Sequence, residues 1–554
     1  MRSAQVGPFA GAGDGGPTIA LAMTTAAART KLSEFGSLEF VANYDILLTS
    51  NEWKKTQANL TPLGYLLVQE MLTESIVRRL LFEDYRKRAS LLLTDIPVRE
   101  PVFVLGLPRT GTTLLHRLLS LDNAKFRAPL LWELLHPVPK VAPNALPHEH
   151  ATDRQARLAF AKGRLAQAEA LGLLSRTQHI HEMGPELPEE CLGLLTDCVP
   201  MHAFCFYHLT TLPTTSEAML SGYQSYRRYL QLLSLQTGEA QTPRQWMLKC
   251  PLHLTHARSI AAIFPGAKLI WTHRELQQCI PSVCSLIVGI HETYHKQGSL
   301  PASEVGLSAL SWAEKCLQHA PQDIAASGLD CLDVTYANLV ANPVETVRAI
   351  YAQFGWHMSL EYTAALEAYL AQNRRDREAL AAEQRRAKEQ RGRGGGGGAA
   401  AAEGSGHVYS LAEFGIDERE LKRGAFAEYT RTYLTHVAPL SAPPSLPPSL
   451  PASLPASLPD PPSPPSPPRL RASASVSPEP KEQGEDGVGE TESGGEGEGE
   501  AGGGLMPGSD GGRSREPKFR RNTSAFAPKR ATGDCVGAAT GTGRERGAKC
   551  HAEA

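Results

Sequence analysis

The sequence predicts an α/β fold in which a central parallel sheet is covered by helices on both faces. Short apolar runs of strand character alternate with stretches carrying apolar residues at helical spacing, the pattern of βαβ units. Each run ends in a turn bearing a group suited to a ligand: Arg109 after Val102–Leu107, Lys249 within Gln245–Leu254, Arg274 after the run that opens at Gly266, and Tyr336 after the run that opens at Leu329. Parallel sheets take their ligands beyond the C-terminal strand ends, so these four groups are expected on one rim.

The first run carries the most information. Val102–Leu107 reads as a strand buried on both faces. Pro108–Thr113, the sequence PRTGTT, supplies the turn, and Leu114, Leu115, Leu118, Leu119 and Leu121 continue at helical spacing. Strand, tight turn and helix start together aim free backbone N–H groups and the positive end of a helix dipole at one point, an anion cradle. Arg109, Thr112 and Thr113 add donors. Gly106 and Gly111 have the spacing of a nucleotide-triphosphate loop, but the lysine that loop needs is Thr112 here, and the cation has moved to Arg109.

Around this centre the chain divides by composition. Residues 1–31 are rich in Gly, Ala, Ser and Thr and read as a disordered terminus; few arginines and no apolar h-region leave at most a weak targeting peptide. From Leu32 helical spacing begins, with Ser33 and Thr61 as expected N-caps. Phe126–Pro139 is a short apolar segment holding one carboxylate, Glu133, whose burial would suit it to proton abstraction. Residues 151–176 read as a polar helix. His179, His181, Glu182, Glu186, Glu189 and Glu190 then crowd a loop, where a helix dipole accounts for Glu189 and Glu190 after Pro188. Cys191, Cys198 and Cys205 read as buried small apolar residues. Asn373–Arg393 is a charged helical run, 391–406 a flexible Gly/Ala-rich insert, and 437–554 a Pro/Ser-rich, acidic and then basic tail that cannot bury a core. The folded domain is expected at 32–436.

Bulk properties exclude some classes. A net charge of −2 over 554 residues gives no electrostatic footprint for nucleic acid. No apolar run nears the roughly 20 residues of a membrane-spanning helix. Ten cysteines without a C-x-x-C pair favour a reducing compartment, with the cytoplasm as default.

With these segments in view, residues from about Leu32 to His436 resemble the sulfotransferases that use 3′-phosphoadenylyl sulfate, in the branch with GxPRTGTTLLHRLL loops. The resemblance implies a P-loop-like three-layer sandwich that needs no metal. It assigns Arg109, Thr110, Gly111, Thr112 and Thr113 to the 5′-phosphosulfate, and Arg274 with Ser282 to the 3′-phosphate. Tyr336 falls near the nucleotide, although Ala337 and Asn338 replace the usual acids, and Lys249 at the transferring group, although Cys250 replaces the acid that follows. His407–Asp417 is similar to the family's closing C-terminal segment. The same comparison makes Glu133 the first candidate for the base, His181 the second and Glu182 the third. The acceptor is expected to be a small molecule, glycan or lipid.

Rival readings are a nucleotide kinase or NTPase, from the glycine spacing; a metalloprotease, from the H-E-x-x-H sequence His291–His295; and an inactive scaffold. The extended zincin form fails, because the third histidine is missing and Pro301 stands at its place.

Overall fold

A computed structural model describes residues 18–36, 57–172, 183–196, 216–237, 244–393 and 410–435. Its sheet has five strands, β1 (Val102–Leu105), β2 (Phe126–Arg127), β3 (Gln245–Lys249), β4 (Lys268–His273) and β5 (Asp330–Thr335), in the order β2-β3-β1-β4-β5 and all parallel. Period-two alternation splits β1 between two cores. Val102 and Val104 join Met247, Ile270, Val334 and the inner faces of the helices Thr112–Ser120 and Pro343–Gln353. Phe103 and Leu105 join Leu248, Leu269, Trp271 and the helices Ser216–Gln236, Leu276–Tyr294 and Ala302–Ser327. Helix, sheet and helix thus form three layers, as the sequence predicts.

Register places the strand tops together. Val104 lies beside Lys249 on one side and Ile270 on the other, and His273 lies beside Thr335. The turns after β1, β3, β4 and β5 therefore open on one rim.

Three sequence expectations are corrected. The N-terminal segment is not uniformly structureless: Ile19–Thr30 is a helix, capped by Thr18, whose Oγ1 accepts from Leu21 N at 3.2 Å. Its small residues Ala22 and Ala26 allow close packing on Val68, Leu72, Ile76 and Leu80 of the helix Pro62–Arg88. That helix starts at its expected cap, Thr61, but no helix begins at Ser33 among the described residues. Second, Phe126–Arg127 is an edge strand that the apolar pattern alone does not disclose. Third, the helix after Pro188 begins only at Leu192, so Glu189 and Glu190 precede it and the helix dipole does not account for them. The insert at 394–406, the tail from 437, and Cys198 and Cys205 lie outside the described residues.

Four imidazoles are kept neutral chiefly by burial: His116 and His253 are pushed down to about 3, His136 and His256 to about 4. In the unfolded chain such rings titrate near 6.5, so on acidification the unfolded state takes up protons first. Their contribution is present in full above pH 6.5 and is lost as the pH falls toward 4, by up to about 1.4 kcal/mol per pH unit per ring. Thermal melts are expected to show Tm dropping steeply from pH 7 to pH 5, with a shallower drop in His253→Gln; parallel profiles for the two proteins would contradict this.

Candidate active site

The turn after β1 reverses tightly, and its backbone shows the cost. Gly106, Arg109 and Gly111 have φ of 147°, 72° and 93°, and Arg109 is one of three non-glycine residues with positive φ among the described residues. A Cβ on Gly106 would stand 2.7 Å from the carbonyl oxygen of Thr272, and one on Gly111 would stand 2.8 Å from the Tyr336 ring. Thr110 locks the turn from within: its hydroxyl donates to the Leu107 carbonyl at 2.7 Å and shares a 2.6 Å hydrogen bond with Thr272. Gly111 caps the helix Thr112–Ser120 without a side chain, leaving that helix's first N–H groups open to an anion.

Cations from neighbouring strands meet over this turn. Arg109 Nε donates to Ser282 Oγ at 2.9 Å, so the loop arginine touches the serine paired with Arg274 in the sequence reading. Arg274 donates through Nη1 to the Arg109 carbonyl at 2.8 Å and through Nη2 to Gln278 at 3.1 Å. Its guanidinium lies 4.2 Å above the Tyr336 ring, and its Nε is buried without a hydrogen-bond partner. Burial and the nearby Arg274 charge hold Arg109 below the usual guanidinium range. An arriving anion offsets the repulsion between the two guanidiniums.

Lys249 ends β3 beside β1 and is 1% exposed. Its ammonium pairs with the Glu190 carboxylate, which keeps a partly exposed face. The segment leading to Glu190 is held along its length. Leu131 N donates to the Leu187 carbonyl at 3.2 Å, Glu189 N to the Pro129 carbonyl at 3.0 Å, and Cys191 N to the Lys249 carbonyl at 3.1 Å. Beneath it, His253 accepts from or donates to Cys191 Sγ at 3.1 Å and the Tyr223 hydroxyl at 2.7 Å. The Cys191 thiol is pushed up to about 12 by burial, so this support is uncharged.

Residues 101–359, which include all five strands, match the family model described as the sulfotransferase family. This segment belongs to that family. Two solved structures share the fold: sulfotransferase STF1 from Mycobacterium tuberculosis H37Rv, with a TM-score of 0.54 and 24% identity over 74% of this chain and 98% of that one, and sulfotransferase STF9 from Mycobacterium avium, with a TM-score of 0.54 and 23% identity over 76% of this chain and 98% of that one. No curated protein matches the chain.

The sequence-predicted groups separate into two sets. Arg109, Thr110, Gly111, Thr112, Thr113, Lys249, Arg274, Ser282 and Tyr336 gather on the rim. Glu133 does not. Its Oε1 accepts from Arg127 Nη2 at 2.6 Å and its Oε2 from Leu130 N at 3.0 Å, an ion pair and a helix-start contact. Arg127 sits beside Trp246, three residues and about 10 Å down β3 from Lys249. The groove of about 280 Å³ around Glu133 includes Ser120 and Arg244, at the far end of the loop helix and before β3. His181 and Glu182 lie outside the described residues.

Glu190 is the site residue that sequence reasoning missed. It pairs with Lys249 across 59 residues of sequence, so no local signal marks it beyond Cys250 standing where the family has an acid after the lysine. The H-E-x-x-H histidines stack face to face, ring centres 3.9 Å apart, with His295 Nδ1 turned to its own helix at the His291 carbonyl, 3.0 Å away. That stack does not present two ring nitrogens to one point. Among the described residues no group of acids, cysteines and histidines is arranged to hold a metal, and no helix is long and apolar enough to cross a membrane.

Gly106→Ala is expected to cost about 2–3 kcal/mol of stability in urea denaturation, because the new methyl meets backbone at a φ that L-residues avoid. An unchanged midpoint would mean that the turn can shift to admit a Cβ.

Proposed function

We propose that this sulfotransferase moves a sulfuryl group from 3′-phosphoadenylyl sulfate to a hydroxyl or amine of its acceptor by in-line displacement. The observation that carries the reading is the meeting of Arg109 and Arg274 over the turn that opens the helix Thr112–Ser120, with the buried Lys249 at the end of the neighbouring strand. The site fits a donor with two separated anionic ends. The orphaned Arg274 Nε asks for an acceptor, Arg109 lies between the loop and Ser282, and glycines stand where a Cβ would crowd the turn.

Each residue then has a task. The N–H groups of Thr112 and Thr113, their hydroxyls and Arg109 bind the 5′-phosphosulfate. Arg274 and Ser282 take the 3′-phosphate, for which a planar guanidinium offers paired donors that lysine lacks. The Tyr336 ring, stacked on Arg274, fixes that fork. Sulfuryl transfer, like phosphoryl transfer, proceeds through a loose anionic transition state, so positioning and cationic stabilisation do most of the catalytic work. Lys249 and Arg109 supply the cations, each at about 2–4 kcal/mol by analogy with oxyanion-hole donors. Thr112, at the position of the NTPase lysine, supports sulfuryl over nucleotide-triphosphate chemistry. The acceptor is a small molecule, glycan or lipid, and catalysis needs no metal.

Calorimetry with adenosine 3′,5′-bisphosphate tests the donor site. Micromolar-range binding is expected for wild type and is largely abolished in Arg274→Ala, whereas adenosine 5′-monophosphate binds far more weakly. Binding of ATP with magnesium in place of the bisphosphate would return the kinase reading, and binding of neither would return the scaffold. For Lys249→Ala, labelled-donor turnover is expected to fall by roughly 10²–10³; retention of wild-type turnover would remove Lys249 from the chemistry.

A further inference from the structure

We infer that Glu190 is the proton acceptor of the transfer, and that Lys249 is its counter-ion in the free enzyme. The inference rests on the donor reading above. Three features of the rim carry it. The Glu190 carboxylate meets the Lys249 ammonium at the end of β3, adjacent in the sheet to the strand that leads into the loop. Unlike Lys249, it keeps a solvent-facing side, 27% exposed, through which a hydroxyl can reach it. Its backbone is fixed from both neighbours, by Glu189 N on the Pro129 carbonyl and Cys191 N on the Lys249 carbonyl, so the carboxylate is positioned rather than trailing on a loop. Glu133, the carboxylate expected from the sequence, has both oxygens engaged elsewhere.

In the step itself the acceptor oxygen forms its bond to sulfur while the bond from sulfur to the bridging phosphate oxygen breaks. The electron pair leaves with adenosine 3′,5′-bisphosphate, and the acceptor's proton passes to Glu190. Lys249, released from Glu190 as that carboxylate becomes neutral, is free to hold the negative charge of the departing phosphate. One proton transfer thus changes both partners in the useful direction.

Among the described residues, the charged and titratable groups around Glu190 are Lys249 and Cys250 from β3 and its end and Glu189 and Cys191 from its own segment, with His116 of the loop helix near Lys249 and Glu189. Burial keeps both thiols protonated and His116 neutral to about 3, so an acidic limb in the rate profile belongs to the carboxylates.

The experiment follows sulfate release from sulfur-35-labelled 3′-phosphoadenylyl sulfate with water as acceptor, across pH 4 to 9, beside calorimetry with adenosine 3′,5′-bisphosphate. Glu190→Gln is expected to bind the bisphosphate at least as tightly as wild type, to release sulfate on the order of 10² slower, and to lose the acidic limb of kcat. Glu190→Asp is expected to restore the limb at reduced rate. Wild-type rate and limb in Glu190→Gln would overturn the assignment, as would loss of the limb in Glu133→Gln alone. A Glu190→Gln protein that no longer binds the bisphosphate would make Glu190 structural, which also overturns it. Wild type that neither binds the bisphosphate nor releases sulfate would fail the donor reading itself, a result distinct from all of these.

Discussion

A buried ammonium constrains this molecule more than any other single group. Lys249 is almost wholly removed from water at the end of a central strand, where an unpaired charge would be strongly destabilising. The fold meets that constraint with a carboxylate from a segment more than fifty residues earlier, and holds that segment by backbone hydrogen bonds to both β3 and the turn after β2. The edge strand β2 follows from the same requirement. Two residues long, it contributes little area, yet it carries the chain to Pro129, whose carbonyl fixes Glu189.

The other cations repeat this logic with less burial. Arg109 and Arg274 are close enough for the Arg274 charge to disfavour that of Arg109. Neutral groups contact them: a serine hydroxyl, a backbone carbonyl, an amide and the face of a tyrosine. A guanidinium that donates to a carbonyl and an amide and lies on a ring face, as Arg274 does, keeps its positive charge available to an anionic ligand.

The sequence discloses those parts of the site whose chemistry depends on local order. PRTGTT after an apolar run is a cradle wherever it folds, and Arg274 and Tyr336 are marked by strands that end just before them. The fold class follows from the same periodicity. Residues whose roles depend on distant partners stay hidden. Glu133 and Glu190 are both acids near apolar residues, and nothing local tells that Arg127 claims one and Lys249 the other. The Ala/Thr-rich Ile19–Thr30 looks like filler until the helix Pro62–Arg88 offers a surface that small residues fit.

The C-terminal segment joins the site by the same kind of long-range contact. The helix Gly424–Tyr433 sets Tyr429 so that its hydroxyl accepts from Arg274 N at 3.2 Å, and Tyr433 stacks on His273 with ring centres 4.3 Å apart. Residues preceding it seat Phe414 against Gly306, where a Cβ would stand 2.1 Å from the Phe414 carbonyl oxygen. The Arg274 guanidinium is thereby held from three directions, by Gln278 of the helix that follows it, by the Arg109 carbonyl and by the Tyr336 ring, while Tyr429 holds its backbone N–H. A guanidinium so constrained loses little further entropy when it takes up a ligand, and that saving is what preorganisation contributes to binding.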